Sequence, residues 1–271
     1  MQMPVEKTLQ SLNLEDDFLF AKVMSDSEIC RRVLEKILRI PIKKVMVPTA
    51  QRTIDILLES KGIRLDVYVN DERGTVYNIE MQRGRKKELP KRSRYYAGCI
   101  DLDLIMAGKE YWQLKKSFII FICTFDPFHE KRHIYTFENR CLENLSLSLK
   151  DDSVKIFLNT KGKQNDIDIE MQEFLSYIED SSDQFAERAT SPLIREIHQK
   201  VKQIKESRET EVEYMTLLQR DRENREEGAA SAIRILKLYS KNFSVEKIAE
   251  TLNMDPEYVA KVIADYENAL I

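Results

Sequence analysis

Apolar and polar residues alternate from residue 61 to residue 83, KGIRLDVYVNDERGTVYNIEMQR, and period two predicts two strands joined by a tight turn. On the first strand Ile63, Leu65, Val67 and Val69 share one face, and Arg64, Asp66, Tyr68 and Asn70 share the other. On the second, Tyr77, Ile79 and Met81 oppose Val76, Asn78, Glu80 and Gln82. Glu72-Arg73-Gly74 reads as a three-residue loop, because glycine takes the left-handed position such loops need without steric cost. That loop pairs Asp71 with Thr75. Counting back along the ladder sets Asp66 opposite Glu80 and Arg64 opposite Gln82, and directly opposed side chains have Cβ atoms about 4.5–5.5 Å apart.

Helical spacing governs most of the remaining chain. Residues 14–39 carry Phe18, Val23, Ile29, Val33, Leu34, Ile37 and Leu38 as core positions, and Pro41 ends the stretch. Ser25-Asp26-Ser27 supplies capping residues for a second helix within it. Thr53 to Glu59 reads as a strand, Glu88 to Ala107 as a helix stopping at Gly108, and Ser117 to Cys123 as a strand in the sheet interior. Short strands follow at His133 to Phe137 and Val154 to Leu158. The acidic stretch 166–187 is helical, and its Ile169-Glu-Met-Gln172 copies Ile79 to Gln82 without strand periodicity. Pro192 opens a long charge-rich helical region whose apolar stripe suits either a coiled-coil seam or packing on its own domain, with a break or hinge at Glu227-Gly228. Ser244 to Asn268 has a helix-turn-helix layout. Lys261 is the one basic residue of its second helix, which suits packing or assembly better than reading DNA.

The order helix, three strands, helix, strand describes an α/β or α+β domain with a mixed sheet. At 271 residues and 42% hydrophobic content, the chain suits one medium domain with an appendage or two small ones. We expect a core over residues 1–160, a charge-rich helical region over 161–228 and a small helical tail over 229–271. A net charge of −3 leaves nucleic-acid binding to local patches. Arg83 to Arg94 is such a patch, with seven Lys and Arg against one acidic residue, Glu88. At least one of Tyr95 and Tyr96 belongs to the core. The four cysteines show no metal-ligand spacing and read as reduced, mostly buried thiols. No apolar run matches a membrane span or a signal-peptide core, so a cytoplasmic chain is expected.

Chemistry enters through the hairpin. Two facing carboxylates repel each other unless a cation lies between them, and Mg²⁺ accepts one or two carboxylates with water and phosphate oxygens. Asp…Glu-x-Gln on paired strands, followed by a helix with basic residues, resembles the PD-(D/E)XK nuclease pattern. More closely the chain resembles the recombination-promoting nuclease/transposase family of that superfamily. The likeness runs through Leu14-Glu-Asp-Asp-Phe-Leu-Phe-Ala-Lys-Val-Met24, Gly62-Ile-Arg-Leu-Asp-Val67, Tyr77-Asn-Ile-Glu-Met-Gln82, Arg92-Ser-Arg-Tyr-Tyr96 and Ile120-Phe-Ile-Cys-Thr-Phe-Asp126.

The resemblance implies a restriction-endonuclease-like core with a helical C-terminal extension, and DNA endonuclease activity that uses Mg²⁺ or Mn²⁺. On that reading Asp66 and Glu80 hold the metal with the Met81 carbonyl as a further ligand, and Gln82 positions the attacking water. Asp17, in the family's Asp-Phe motif, or Glu35 on the same helical region completes the site. Arg64, Arg85, Lys86, Lys87, Arg92 and Arg94 face DNA phosphates, and the C-terminal helices carry a homo-oligomer contact. Gln82 replaces the superfamily's usual lysine, and a neutral amide orients water without supplying charge. The other reading is a non-catalytic assembly or DNA-binding protein that keeps the nuclease fold.

Overall fold

The structure is a computed structural model that describes residues 8–46, 53–54, 63–85, 88–105 and 109–268, with only the backbone described at 53, 54, 63 and 64. Two units divide the chain, Met1–Ser207 and Arg208–Ile271. Among the described residues no helix is long and apolar enough to cross a membrane.

In the first unit the expected opening helical stretch forms two helices, α1 (Asp17–Met24) and α2 (Ser27–Leu38). Each has an aspartate N-cap. Asp16 accepts from the Phe18 amide, and Asp26 accepts from the Glu28 and Ile29 amides. Arg39, left-handed at φ 56°, closes α2 before Pro41. Phe18, Val23, Ile29, Val33, Leu34 and Ile37 are buried, and Leu38 is half-buried.

A six-stranded mixed sheet follows. Its strands are β1 (Val45–Met46), β4 (Val67–Asp71), β5 (Val76–Gln82), β6 (Ser117–Cys123), β8 (Ser153–Asn159) and β7 (Ile134–Phe137), in that spatial order. A separate antiparallel pair joins β2 (Thr53–Ile54) to β3 (Ile63–Arg64); the remainder of the expected strand through Glu59 lies outside the described residues. β4–β5 and β7–β8 pair antiparallel, whereas β5–β6 and β6–β8 pair parallel. Every residue of β5 and β6 is buried, so both faces of these central strands are covered by packing layers.

Helix α3 (Leu89–Leu104) supplies the crossover from β5 to β6 and lies over the face that carries Asn78, Glu80 and Gln82. Its Leu89, Tyr96, Ala97, Cys99 and Ile100 pack against Ile119, Phe121 and Phe157, and the Phe121 and Phe157 rings stack at 5.5 Å. Burying one such aromatic or aliphatic side chain contributes about 1.5–3 kcal/mol. The hairpin face that alternation marks as polar is therefore an interior face. Tyr96 joins this core while Tyr95 stays exposed.

The acidic stretch splits into α4 (Ile169–Glu179) and α5 (Asp183–Arg188), and Pro192 begins α6 (Pro192–Glu206). The second Ile-Glu-Met-Gln is helical: Glu170 pairs with Lys36 and accepts from the Ser191 hydroxyl.

The second unit is α7 (Arg208–Tyr239), α8 (Val245–Leu252) and α9 (Pro256–Asn268). Here the expected break at Glu227-Gly228 is overturned, because α7 runs through it unbroken. A lone glycine costs a helix only about 1 kcal/mol, and Glu226, Glu227, Ala229 and Ala230 around it are strong helix formers. Ser244 caps α8 by accepting from Lys247, and Asn253 turns the chain at φ 52°. Ile235, Ile248, Ala249, Val259 and Ile263 form the unit's own small core.

Candidate active site

The hairpin tip fixes the geometry of everything after it. Gly74 takes φ 80°, the Asp71 amide donates to Thr75 O at 3.1 Å, and the Gly74 amide donates to Asp71 O at 3.0 Å. The Asp71 carboxylate clamps the same turn. It accepts from the Arg73 and Thr75 amides, each at 2.9 Å, and from the Tyr77 hydroxyl at 2.9 Å. Val69 then faces Tyr77 and Val67 faces Ile79. One more step brings Asp66 level with Glu80.

At that step the backbone ladder ends and side chains take over. Asp66 lies on a bend just before β4, so its amide donates to Glu80 Oε1 at 3.2 Å. In return the Met81 amide donates to Asp66 Oδ2 at 3.1 Å. Each carboxylate thus accepts a main-chain amide from the opposing chain. Alternation along β5 also sets the Met81 carbonyl. The even positions bond toward β6, as Val76 N to Lys116 O and Gln82 O from Thr124 N show, so the odd positions address β4. The carbonyl of Met81 therefore faces the Asp66 side.

Arg92, one turn into α3, reaches down onto the same face. Its Nη2 donates to Glu80 Oε2 at 2.8 Å and its Nη1 to Gln82 Oε1 at 2.8 Å. Nε donates to the Tyr96 hydroxyl at 2.8 Å, one helical turn on. The guanidinium carbon lies 4.9 Å from the Tyr96 ring centroid and 5.3 Å from that of Phe121. Gln82 uses its Nε2 to hold Gly84 O at 2.7 Å, which fixes the amide so that its oxygen faces Arg92. Asn78, fully buried two residues before Glu80 on the same face, has neither side-chain polar atom in a direct hydrogen bond.

The electrostatics follow from burial. Glu80 is 0% exposed, and desolvation pushes its carboxyl well above the usual carboxylate range, with the Asp66 charge pushing the same way. The Arg92 guanidinium and the Asp66 amide oppose that shift. Such a pair of hard oxygen donors fits Mg²⁺ or Mn²⁺, and a cation between the carboxylates relieves their repulsion. The protein ligand set is small. Among the described residues no group of three or more His, Cys, Asp or Glu side chains could hold a metal ion. A divalent ion would use Asp66, Glu80 and the Met81 carbonyl, leaving its other positions to water and phosphate oxygens.

The remaining residues singled out from the sequence are dispersed. Glu35 is engaged at the end of α2, where it pairs with Arg31 at 2.6 Å and accepts from the Ile42 amide at 2.7 Å. Asp17 is exposed on the first turn of α1. Its neighbour Asp16 is the buried one, and its Oδ2 lies 3.2 Å from Nη1 of Arg83, directly after Gln82. Arg85 and Arg94 are exposed, as phosphate contacts require. Lys86, Lys87 and the Arg64 side chain lie outside the described residues. Arg92 and Arg94 part company because two residues of helix turn through about 200°.

The sequence pairs the two acids but points Arg92 to DNA phosphates and passes over Asp16, whereas the structure sets Arg92 on Glu80 and Gln82 and Asp16 against Arg83. The signal for Arg92 is its spacing from Tyr96, an i, i+4 pair on the face of α3 that packs on the sheet. The signal for Asp16 is its N-cap position, which holds a carboxylate at the helix start and near the strand end.

The family model for PD-(D/E)XK nuclease family transposases matches residues 15–232. Neither a curated protein nor a solved structure matches the chain. The match takes in α1, the mixed sheet with Asp66, Glu80 and Gln82, the α3 crossover and most of α7, an arrangement consistent with the restriction-endonuclease-like fold. A sheet of this order, with one acid just before β4 and the other on β5, matched over that span, places the chain in the PD-(D/E)XK nuclease family of transposases.

Proposed function

We propose that the chain is a divalent-metal-dependent DNA endonuclease that hydrolyses phosphodiester bonds in recombination or in the movement of mobile elements. One observation carries this reading: across the hairpin the Asp66 amide donates to Glu80 and the Met81 amide donates to Asp66, which brings both carboxylates to one step of the ladder beside Gln82 and Arg92. When bound, Mg²⁺ or Mn²⁺ supplies a Lewis acid that lowers the pKa of water and offsets charge gathering on the phosphate. Asp66, Glu80 and the Met81 carbonyl would hold it. Gln82 would orient the attacking water through its amide. The exposed Arg85 and Arg94, with Lys86, Lys87 and Arg64, would track the DNA backbone.

We assign the chemistry to residues 1–160, with the helical region 161–228 and the tail 229–271 serving assembly, including a homo-oligomer contact through the C-terminal helices. Exposed Val212, Met215 and Ile233 on α7 support that role.

Incubating purified protein with plasmid and Mg²⁺ tests the reading. Nicking should be lost in Asp66→Asn and Glu80→Gln and on adding a chelator. Equal nicking by wild type and both variants would assign the cleavage to a contaminant. A second reading, a non-catalytic DNA-binding or assembly protein on the nuclease fold, is favoured by the guanidinium already held on Glu80 and Gln82. Calorimetry separates the two, since a retained site takes up Mn²⁺ and loses that uptake when Asp66 is neutralised.

A further inference from the structure

The acid pair already has a cation of its own. Arg92 makes two parallel bonds to β5, Nη2 to Glu80 Oε2 and Nη1 to Gln82 Oε1, both at 2.8 Å. Charged hydrogen bonds of this length are the strong ones. The other carboxylate oxygen of Glu80 accepts the Asp66 amide at 3.2 Å. Both oxygens of the buried acid are thus engaged.

The guanidinium has a second anchor that does not depend on the acids. Its Nε bonds to the Tyr96 hydroxyl at 2.8 Å and its plane lies over the Tyr96 ring, on the same helix. α3 itself is fixed by Leu89, Ala97, Cys99 and Ile100 in the core. Releasing the two β5 bonds would therefore leave the helix in place. The Arg92 side chain is 24% exposed against 1% for Glu80, so the guanidinium has solvent to turn toward and the carboxylate has none.

We propose that Arg92 is an internal competitor for the metal: the guanidinium and a divalent ion hold Glu80 in turn, and the displaced guanidinium takes a DNA phosphate as its new partner. This inference rests on the nuclease reading above. It makes the two ligands cooperative, because metal and DNA both favour the state in which Arg92 has left Glu80, and each must then raise the other's affinity. It also accounts for glutamine at position 82. An amide oxygen accepts the guanidinium, whereas a lysine on the same face would repel it.

Manganese calorimetry on the full chain tests this, using wild type, Arg92→Met, Arg92→Lys and Asp66→Asn, each with and without a short phosphorothioate duplex. Arg92→Met should bind Mn²⁺ roughly tenfold more tightly than wild type without DNA, the worth of one charged hydrogen bond. The duplex should tighten Mn²⁺ binding more in wild type than in Arg92→Met. Arg92→Lys should fall between them, since an ammonium cannot bridge both acceptors. A folded Arg92→Met with unchanged or weaker Mn²⁺ affinity overturns the inference. Should that variant fail to fold, Arg92→Lys decides alone, and wild-type affinity there overturns it. Uptake that Asp66→Asn abolishes and the Arg92 variants leave unaltered sinks this inference only. If wild type takes up no Mn²⁺, or Asp66→Asn leaves uptake unchanged, the nuclease reading falls with it.

Discussion

Asp71 is the residue on which the register of the acid pair depends, and removing its carboxylate has a cost that the structure allows to be worked out. In Asp71→Ala three bonds are lost, two from the Arg73 and Thr75 amides and one from the Tyr77 hydroxyl. The amides lie on a turn between exposed Arg73 and half-buried Thr75, where water can replace the carboxylate, so each bond is worth about 0.5–1.5 kcal/mol. Tyr77 is 1% exposed, and its orphaned hydroxyl adds a penalty of about 1–3 kcal/mol. Burial, reinforced by the bond to Asp71, pushes that hydroxyl's pKa up, so it remains a donor at working pH. A loss of about 3 kcal/mol is expected for Asp71→Ala and about 1 kcal/mol for Tyr77→Phe. The double variant should cost about 1–2 kcal/mol less than the two together, because no orphan is left once the hydroxyl has gone. Asp71→Asn should be mild: its amide oxygen keeps the turn, and the tyrosine hydroxyl can rotate to accept from its NH₂. Urea unfolding followed by near-ultraviolet circular dichroism measures all four, provided the slope with denaturant is unchanged. Asp71→Ala within about 0.5 kcal/mol of wild type, or strict additivity in the double variant, would refute the clamp.

Other outcomes follow from the same structure. Gln82→Lys restores the superfamily's usual spacing but sets an ammonium beside Arg92, so it should lower the melting temperature without improving Mg²⁺-dependent nicking, and adding Arg92→Gln should recover stability; a stable, more active Gln82→Lys contradicts the site. Burial holds His198 below its usual pKa and Lys202 adds to this, while Asp183 opposes. Its neighbours are Tyr177 of α4, Asp183 of α5 and Lys202 and Lys205 of α6. The unfolded chain thus binds this proton more readily, so the stability it contributes is complete above about pH 6.5 and is lost as pH falls through the lower folded value. His198→Asn should flatten that part of the melting profile, and an unchanged slope would remove His198 as its source. Burial pushes the thiols of Cys30 and Cys123 up to about 12 and raises Cys99 as well, whereas Cys141 is half-exposed. Iodoacetamide at neutral pH should therefore label Cys141 in the folded protein and all four cysteines in urea, and native labelling of Cys30 or Cys123 would show that the sheet opens.

Much of the site was legible because it is made by local rules. Glycine at position 74, the three-residue loop and strict alternation on either side set the pairing from Asp71–Thr75 back to Asp66–Glu80 by counting alone. The Ser117 to Cys123 run, the capped tail helices and the helical second Ile-Glu-Met-Gln were equally readable from spacing and caps. Misreadings arose where local preference was outweighed. Glu227-Gly228 looked like a break, but one glycine cannot end a helix flanked by strong formers.

By itself, then, the sequence determined which residues pair across the hairpin, because register is a matter of counting and of what glycine can do that other residues cannot. Only the tertiary structure decided the fate of the polar face. Alternation shows that Asn78, Glu80 and Gln82 share a side, but not that α3 crosses over that side and takes it out of water. The crossover turns a wet strand face into a buried acid site and Arg92 into its counter-ion. Arg92 stands twelve positions after Glu80 in the chain, a separation that no local period connects. Burial is a property of what packs on top, and that is set only when sheet and helix meet.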